Sequence, residues 1–195
     1  MRCEVVAVGT ELLLGQIVDT NSAWIGEQLA LAGIDCLRHT AVGDNPQRIR
    51  LALEESLNRA DAVIVTGGLG PTQDDITRDI IAEVMNVEMV QSPELVEIIT
   101  TKFLGRGRAM PENNLRQADL PRGATAMKEM PGTAPGLVCP VGEKVIYAVP
   151  GVPLEMRQMI EGTVIPDLVS RSGEVAAIRS RVLRTWGQSE SGLAE

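Results

Sequence analysis

The run Thr66-Gly67-Gly68-Leu69-Gly70-Pro71-Thr72-Gln73-Asp74-Asp75 is the strongest chemical signal in the chain. Its glycines let the backbone turn tightly and come close to a ligand. Successive N–H groups in such a loop, with a helix N-terminus after it, make a nest for an anion such as phosphate. No Gly-Lys-Ser/Thr follows, so the run is not a P-loop, and its glycine spacing is not the dinucleotide fingerprint. A plain strand-to-helix turn capped by Asp74 or Asp75 is the simpler alternative. Such a turn needs one or two glycines, whereas this one has three, with a proline and two threonines.

Glu11, Asp44 and Asp75 are the second signal. Three carboxylates around an anion site would repel a phosphorylated ligand. A divalent cation resolves the conflict, because hard oxygen ligands suit Mg²⁺ or Mn²⁺ and the ion bridges to phosphate. Such an ion polarises a phosphoryl oxygen and activates water. Each residue also has a blander reading. Asp44 can initiate the turn before Pro46, and Asp75 can cap a helix. Glu11 has no capping role.

Positioning these groups requires strands that end at them. Val5 to Val8 is a continuous apolar run ending at Gly9, as in a buried parallel strand. Asp19, Thr20 and Asn21 are N-cap types before a helix to about Ala32, which Gly33 closes. A strand over Asp35–Val42 runs into Gly43-Asp44-Asn45-Pro46, and Pro46 opens a helix with Ile49, Leu53 and Leu57 buried. A third buried strand, Ala62 to Val65, leads into the glycine run and a helix from about Asp75 to Met85. This alternation predicts a parallel sheet covered by helices on both faces. In such a sheet the ligand crevice lies outside the carboxyl ends of the strands. Gly9-Thr10-Glu11, Gly43-Asp44, Thr66 to Thr72 and Pro150-Gly151 should therefore converge.

The middle of the chain is less regular. A helix is expected from Ser92 to about Leu104, broken by Gly105 to Arg108. Strands are expected at Ala124 to Met127, Gly136 to Val141 and Lys144 to Val149, the last two forming an antiparallel hairpin through Gly142-Glu143. Pro150 to Pro153 leads a helix through Met159. The polar loop Ser170 to Gly173 then precedes a strand from Glu174 to Thr185.

Composition narrows the chemistry. The 195 residues carry a formal charge of −8, one histidine and three cysteines. His39 alone makes no histidine-rich zinc site, and as a strand residue it reads as structural. Cys3, Cys36 and Cys139 are too scattered for a Cys-x-x-Cys metal site or a disulfide framework, and read as reduced residues of a cytosolic protein. With 2% aromatic residues and net acidity, neither a stacking platform nor a basic footprint for nucleic acid is present. No apolar run reaches the roughly 20 residues that span a bilayer. Ser189 and Ser191 have no nearby base to make a nucleophile. The methionines read as packing.

Gly9-Thr10-Glu11-Leu12-Leu13, Val42-Gly43-Asp44, Thr66 through Asp79, Pro111 to Pro121, Gly132-Thr133-Ala134-Pro135-Gly136 and Pro150 to Met156 together resemble the N-terminal domain of the competence/damage-inducible protein A (CinA) family, which is similar to the molybdopterin-binding MoaB/MogA fold. The resemblance covers most of residues 4–160. It implies an α/β protein of three α/β/α layers with a mostly parallel sheet, self-association into a homo-oligomer, and a MoaB/MogA-like nucleotide- or pterin-binding domain over residues 1–170. Residues 171–195 would begin a linking α+β segment, cut short at Glu195.

The resemblance also implies metal- and potassium-dependent hydrolysis of ADP-ribose to AMP and ribose 5-phosphate, with Mg²⁺, Mn²⁺ or Co²⁺. On that reading Glu11, Asp44 and Asp75 are both catalytic and metal-binding. Gly67, Gly68, Gly70 and Thr72 hold phosphate, helped by Gly9, Thr10, Asn21, Thr66, Pro71 and Asn114. Gly132, Thr133, Gly151 and Pro153 shape the opposite wall. The alternatives are a molybdopterin-binding domain that uses the same loop, and a non-catalytic regulatory module. The expected partner in either binding case is a small molecule, neither nucleic acid nor membrane.

Overall fold

A computed structural model describes residues 1–173, 186, 187 and 189–193. The elements follow in chain order. β1 (Arg2–Val8), α1 (Thr10–Leu13), α2 (Thr20–Leu31), β2 (Asp35–Val42), α3 (Pro46–Arg59), β3 (Ala62–Thr66) and α4 (Thr77–Met85) form the first half. Then come β4 (Met89–Gln91), α5 (Pro93–Leu104), a 3₁₀ helix (Glu112–Ala118), β5 (Asp119–Pro121), β6 (Thr125–Ala126), β7 (Leu137–Val141) and β8 (Lys144–Val149). A final helical run joins α6 (Pro153–Met159), a π turn (Ile160–Val164) and α7 (Ile165–Ser172); a short helix, Glu190–Leu193, lies beyond.

The main sheet has the order β2-β1-β3-β8-β7-β6. β1, β2, β3 and β8 run parallel, β7 runs antiparallel to β8, and β6 runs antiparallel to β7. Strand alternation sorts the core into two layers. Val6, Val63, Val65, Ile146 and Ala148 pack with Ile49 and Leu53 of α3 and Ile80 and Ile81 of α4. Val5, Ala62, Ile64, Tyr147 and Val149 pack on the other face with Ile25 and Leu29 of α2, Met156 of α6 and Leu168 of α7. This is the expected three-layer α/β/α arrangement. No helix among the described residues is long and apolar enough to cross a membrane.

Local chemistry starts the helices where the sequence indicates. Asp19 accepts from Ser22 N (2.9 Å) at the start of α2, and Asn45 accepts from Arg48 N (3.1 Å) ahead of Pro46. The hairpin of β7 and β8 pairs Val141 with Lys144 around Gly142, whose φ is +59°.

Three expectations are corrected. α4 begins at Thr77, two residues later than expected, because Asp75 caps the preceding turn instead of entering the helix. The helix after Pro153 does not stop at Met159, and Ser170 to Ser172 are helical rather than loop. A π turn lies just ahead of Pro166, whose ring nitrogen has no proton to give the ladder, so the run continues by local widening. The middle segment adds a small β4–β5 sheet that the pattern did not suggest. The expected strand 174–185 lies outside the described residues.

One ion pair fixes the sheet to α3. Glu4 is fully buried in β1 and accepts from Arg59 Nε (2.8 Å) and Nη2 (2.9 Å). The Arg59 guanidinium holds the Glu4 carboxyl below the usual carboxylate range. A lowered folded-state pKa contributes stability above the ordinary value, and that contribution is lost as pH falls through the lowered one. Arg59→Ala leaves a buried carboxylate unpaired. It should lower the melting temperature at pH 7 by several degrees and move acid unfolding to higher pH, as thermal melts across pH 3–7 would record.

Candidate functional site

The glycine loop leaves β3 at Thr66 and turns back over the carboxyl ends of β1 and β8. Two positions require glycine. Gly67 has φ +103°, and a Cβ there would stand 2.2 Å from the Val8 carbonyl oxygen. Gly68 has φ +67°, and a Cβ would stand 2.2 Å from Thr77 Oγ1. Gly67 N donates to Val149 O (3.0 Å), tying the loop to β8.

The loop carbonyls are held from behind. Thr77 Oγ1 donates to Gly67 O (2.9 Å) and Thr77 N to Gly68 O (3.2 Å). Arg78, 1% exposed, donates Nη1 to Leu69 O (3.0 Å) and Nη2 to Gly70 O (3.0 Å). Gln117 Nε2 also reaches Leu69 O (3.4 Å). With four successive carbonyls engaged by α4, the N–H groups of Gly68, Leu69 and Gly70 donate to no other group among the described residues. Gly68, Leu69 and Gly70 line a cleft of about 430 Å³. The buried guanidinium adds positive charge beneath this nest, although burial lowers its pKa from the ordinary arginine value.

Of the residues expected from sequence, Gly9, Glu11, Asp44, Gly67, Gly68, Gly70, Pro71, Asp75, Thr133 and Gly151 line this cleft, as does Asp74. Thr10 and Thr72 stand one layer back. Thr10 N and Oγ1 both donate to Asp44 Oδ2 (2.8 Å each), and Thr72 N donates to Asp75 Oδ2 (2.9 Å). The Thr72 hydroxyl also lies against both Asp74 and Asp75, and its bond holds the Asp74 carboxyl below the usual range. Asp44 and Asp75 thus each present one oxygen to a threonine clamp while lining the cleft; Asp44 reaches Thr10 rather than the turn before Pro46, and Asp75 holds Thr72 rather than capping α4.

Asn21, Thr66 and Pro153 line an adjoining hollow of about 160 Å³ that shares Val8, Glu11 and Gly151 with the cleft. Asn21 Nδ2 donates to Gly151 O (2.8 Å). Asn114 does not line the cleft; it is buried behind it and donates Nδ2 to Gln117 Oε1 (2.8 Å), which steadies the Gln117 amide that does. Gly132 also lies outside the lining, pressed against Glu155.

The structure adds three functional candidates. Arg78 and Gln117 hold the loop, and Glu155 supplies a further carboxylate to the cleft. Burial raises the Glu155 pKa, partly offset by Arg106 and Lys102. Its signal in the sequence was its place just after Pro150-Gly151-Val152-Pro153, another strand-to-helix turn at the same edge of the sheet.

The carboxylates surround one space without forming a metal cage. Among the described residues no group of three or more His, Cys, Asp or Glu is placed to hold a metal ion. Glu11, Asp44 and Asp75 therefore do not converge as the expected triad. Their hard oxygens fit a cation such as Mg²⁺ only where the ligand's phosphate completes the coordination, which is its usual mode of binding.

Comparison with known proteins identifies the family and the fold. A family model described as a probable molybdopterin binding domain matches residues 4–170. A CinA-like protein of Frankia casuarinae is 48% identical over the whole chain, which covers 46% of that protein. One from Dictyoglomus thermophilum is 46% identical, again over the whole chain and 47% of its own length. The chain thus spans about half the length of the curated relatives it matches. Among solved structures, the protein CinA from Thermoplasma acidophilum superposes with a TM-score of 0.78 at 33% identity, covering 86% of this chain and 97% of that one. The molybdopterin biosynthesis enzyme MoaB of Thermus thermophilus shares the fold, with a TM-score of 0.59 at 23% identity over 89% of this chain and 97% of its own.

Proposed function

This chain belongs to the CinA-like family and to the probable molybdopterin-binding domain family, and from that premise we propose that its cleft binds a phosphorylated pterin of the molybdopterin type. The observation that carries the reading is the nest. Three adjacent loop residues line the cleft with N–H groups that no described residue engages, the loop carbonyls are held by Thr77 and Arg78, and a buried cation lies beneath. A phosphate there gains charge-assisted hydrogen bonds from fixed donors. The ring would then lie toward the Thr133 and Gly151 wall.

A second reading, hydrolysis of ADP-ribose-like pyrophosphates, is favoured by one specific observation: Glu11, Asp44, Asp75 and Glu155 line the same cleft as the nest. Glu11 with Asp44 or Asp75 would hold a divalent cation shared with the ligand's phosphate. Such an ion supplies Lewis-acid stabilisation of phosphoryl oxygens. The chain's own part would be to fix the phosphate on the loop and to orient water from a carboxylate.

Two measurements separate the readings. Denaturing the purified protein and recording oxidised-pterin fluorescence in the supernatant should show bound pterin on the first reading. Incubation with ADP-ribose, Mg²⁺ or Co²⁺ and K⁺ should release AMP on the second, and Asp75→Ala should reduce that rate at least about tenfold if the carboxylate orients water. Nucleotide in place of pterin in the supernatant counts against the first reading, and no AMP under any of these ions sinks the second. Pterin bound with no turnover leaves a binding module.

A further inference from the structure

The polar ties on the glycine loop do not end at Arg78. Thr77 holds Gly67 O and Gly68 O, and Arg78 holds Leu69 O and Gly70 O. Beyond Pro71, Thr72 O accepts from two donors: Asp75 N (3.2 Å), which closes the acidic turn, and Arg116 Nη1. The other arm of that guanidinium, Nη2, donates to Asp79 Oδ2 (3.1 Å) in the first turn of α4. Arg116, from the 3₁₀ helix, thus bridges the acidic turn to the helix that follows it. A solvated surface ion pair is the plainer account of this residue. Its side chain is only 30% exposed, however, and it is held beside a second guanidinium: burial lowers the Arg78 pKa, and the charge of Arg116 lowers it further. Like charges repel, so the bonds to Thr72 O and Asp79 must outweigh that repulsion.

Thr72, Gln73 and Asp74 are exposed, so this turn gains little from burial and its polar ties set its shape. Among the described residues, no other side chain from beyond the turn bonds to residues 72–75. The residue that Arg116 grips is the one that holds the carboxylates. Thr72 N donates to Asp75 Oδ2 (2.9 Å), and its hydroxyl lies against Asp74 and Asp75. We infer that Arg116 is a positioning residue: by fixing the Thr72 peptide it sets where Asp75 stands in the cleft, and so how well that carboxylate shares a divalent cation with a phosphate on the glycine nest. This rests on the second reading of the cleft, in which Glu11 with Asp44 or Asp75 holds such a cation. The two arginines then divide the loop. Arg78 shapes the nest, which binds phosphate without metal, and Arg116 shapes the acidic end, which matters once a cation is bound.

The test follows binding of adenosine 5′-(α,β-methylene)diphosphate, which cannot be hydrolysed at its bridging carbon, by calorimetry with and without Mg²⁺. Wild type should bind more tightly with Mg²⁺. Arg116→Met should keep the Mg²⁺-free affinity and lose about 10-fold of the affinity measured with Mg²⁺, the lower end of what removing the support of a ligating carboxylate costs. Arg116→Lys keeps the charge without the fork and should resemble Met. Asp79→Asn frees the other arm of the guanidinium and should lose part of the gain; this exposed pair contributes little to folding, so the variant stands in if Arg116→Met melts early. A full Mg²⁺ gain retained in Arg116→Met overturns the inference. Restoration by Arg116→Lys also overturns it, because charge alone would then suffice. Equal losses with and without Mg²⁺ do the same, since a brace of the whole loop would act that way. Wild type that binds equally well with and without Mg²⁺ overturns the shared-cation reading itself, and the inference with it. No binding by wild type at millimolar concentration overturns the phosphate nest as well.

Discussion

Arg78→Met is expected to weaken binding of neopterin monophosphate on the order of 100-fold or more, with a much smaller loss of stability. Arg78 is the largest of the fully buried side chains, and its fork spans the carbonyls of Leu69 and Gly70. Hydrogen bonds to charged groups contribute about 1.5–3 kcal/mol each. Two of them orient the loop and so set where its N–H groups point. Methionine fills similar volume without the donors. Gly70 O then has no other hydrogen-bond donor among the described residues, while Leu69 O keeps Gln117. The loop can rotate a carbonyl toward the cleft, and a carbonyl there repels phosphate. Stability falls less, because removing the guanidinium also removes the cost of burying it. Arg78→Lys should resemble Met rather than wild type, since one ammonium cannot bridge two planar carbonyls. Binding titrations beside thermal melts check the split. Wild-type affinity in Arg78→Met would mean that Thr77 and Gln117 suffice to orient the nest.

The layout of the domain was legible because the strands that matter are continuous apolar runs. Val5 to Val8 and Ala62 to Thr66 are buried on both faces and end in glycine, which pointed to a parallel sheet with its crevice at those ends. β4 and β5 were not legible, because three residues are too few to display alternation. The π turn follows from Pro166 acting inside a run that tertiary packing on the sheet keeps helical, and a sequence pattern does not weigh those terms.

The site divides in the same way. Glycines and strand-end carboxylates are local signals, and most of those named from sequence line the cleft. Arg78 and Glu155 lie inside helical segments, where charged residues ordinarily face solvent, and only the folded chain turns them to the loop and the cleft. Asn114 shows the converse. The resemblance implied ligand contact, yet the 3₁₀ helix buries it against Gln117 and gives it a supporting role. The threonines behave likewise: Thr10 and Thr72 bond Asp44 and Asp75 instead of lining the cleft themselves.

Gly67→Ala should have the largest effect on stability of any single methyl added to the loop. The residue sits at φ +103°, where an L side chain is strained, and the new carbon would lie 2.2 Å from Val8 O and 3.3 Å from the Val8 carbonyl carbon. These obstacles are backbone atoms of a central strand, so no side chain can swing aside. Strain of this kind costs about 1–3 kcal/mol. Overpacking costs about 1–3 kcal/mol more. The sum, roughly 2–6 kcal/mol, is a large part of the total stability of an ordinary domain. Gly70→Ala supplies the contrast. Its φ is not in the strained range, and its added carbon meets the Asp75 carboxylate at 2.3 Å rather than backbone. Asp75 can move, so Gly70→Ala should keep near-normal stability while disturbing the Thr72–Asp75 turn and the cleft it lines. Chemical denaturation of both variants, with neopterin monophosphate titrations on whatever remains folded, separates the outcomes. Equal stability losses would show that backbone strain at Gly67 is not what holds the loop against β1. A large loss at Gly67 with a binding defect alone at Gly70 would assign the first glycine to the fold and the third to the site.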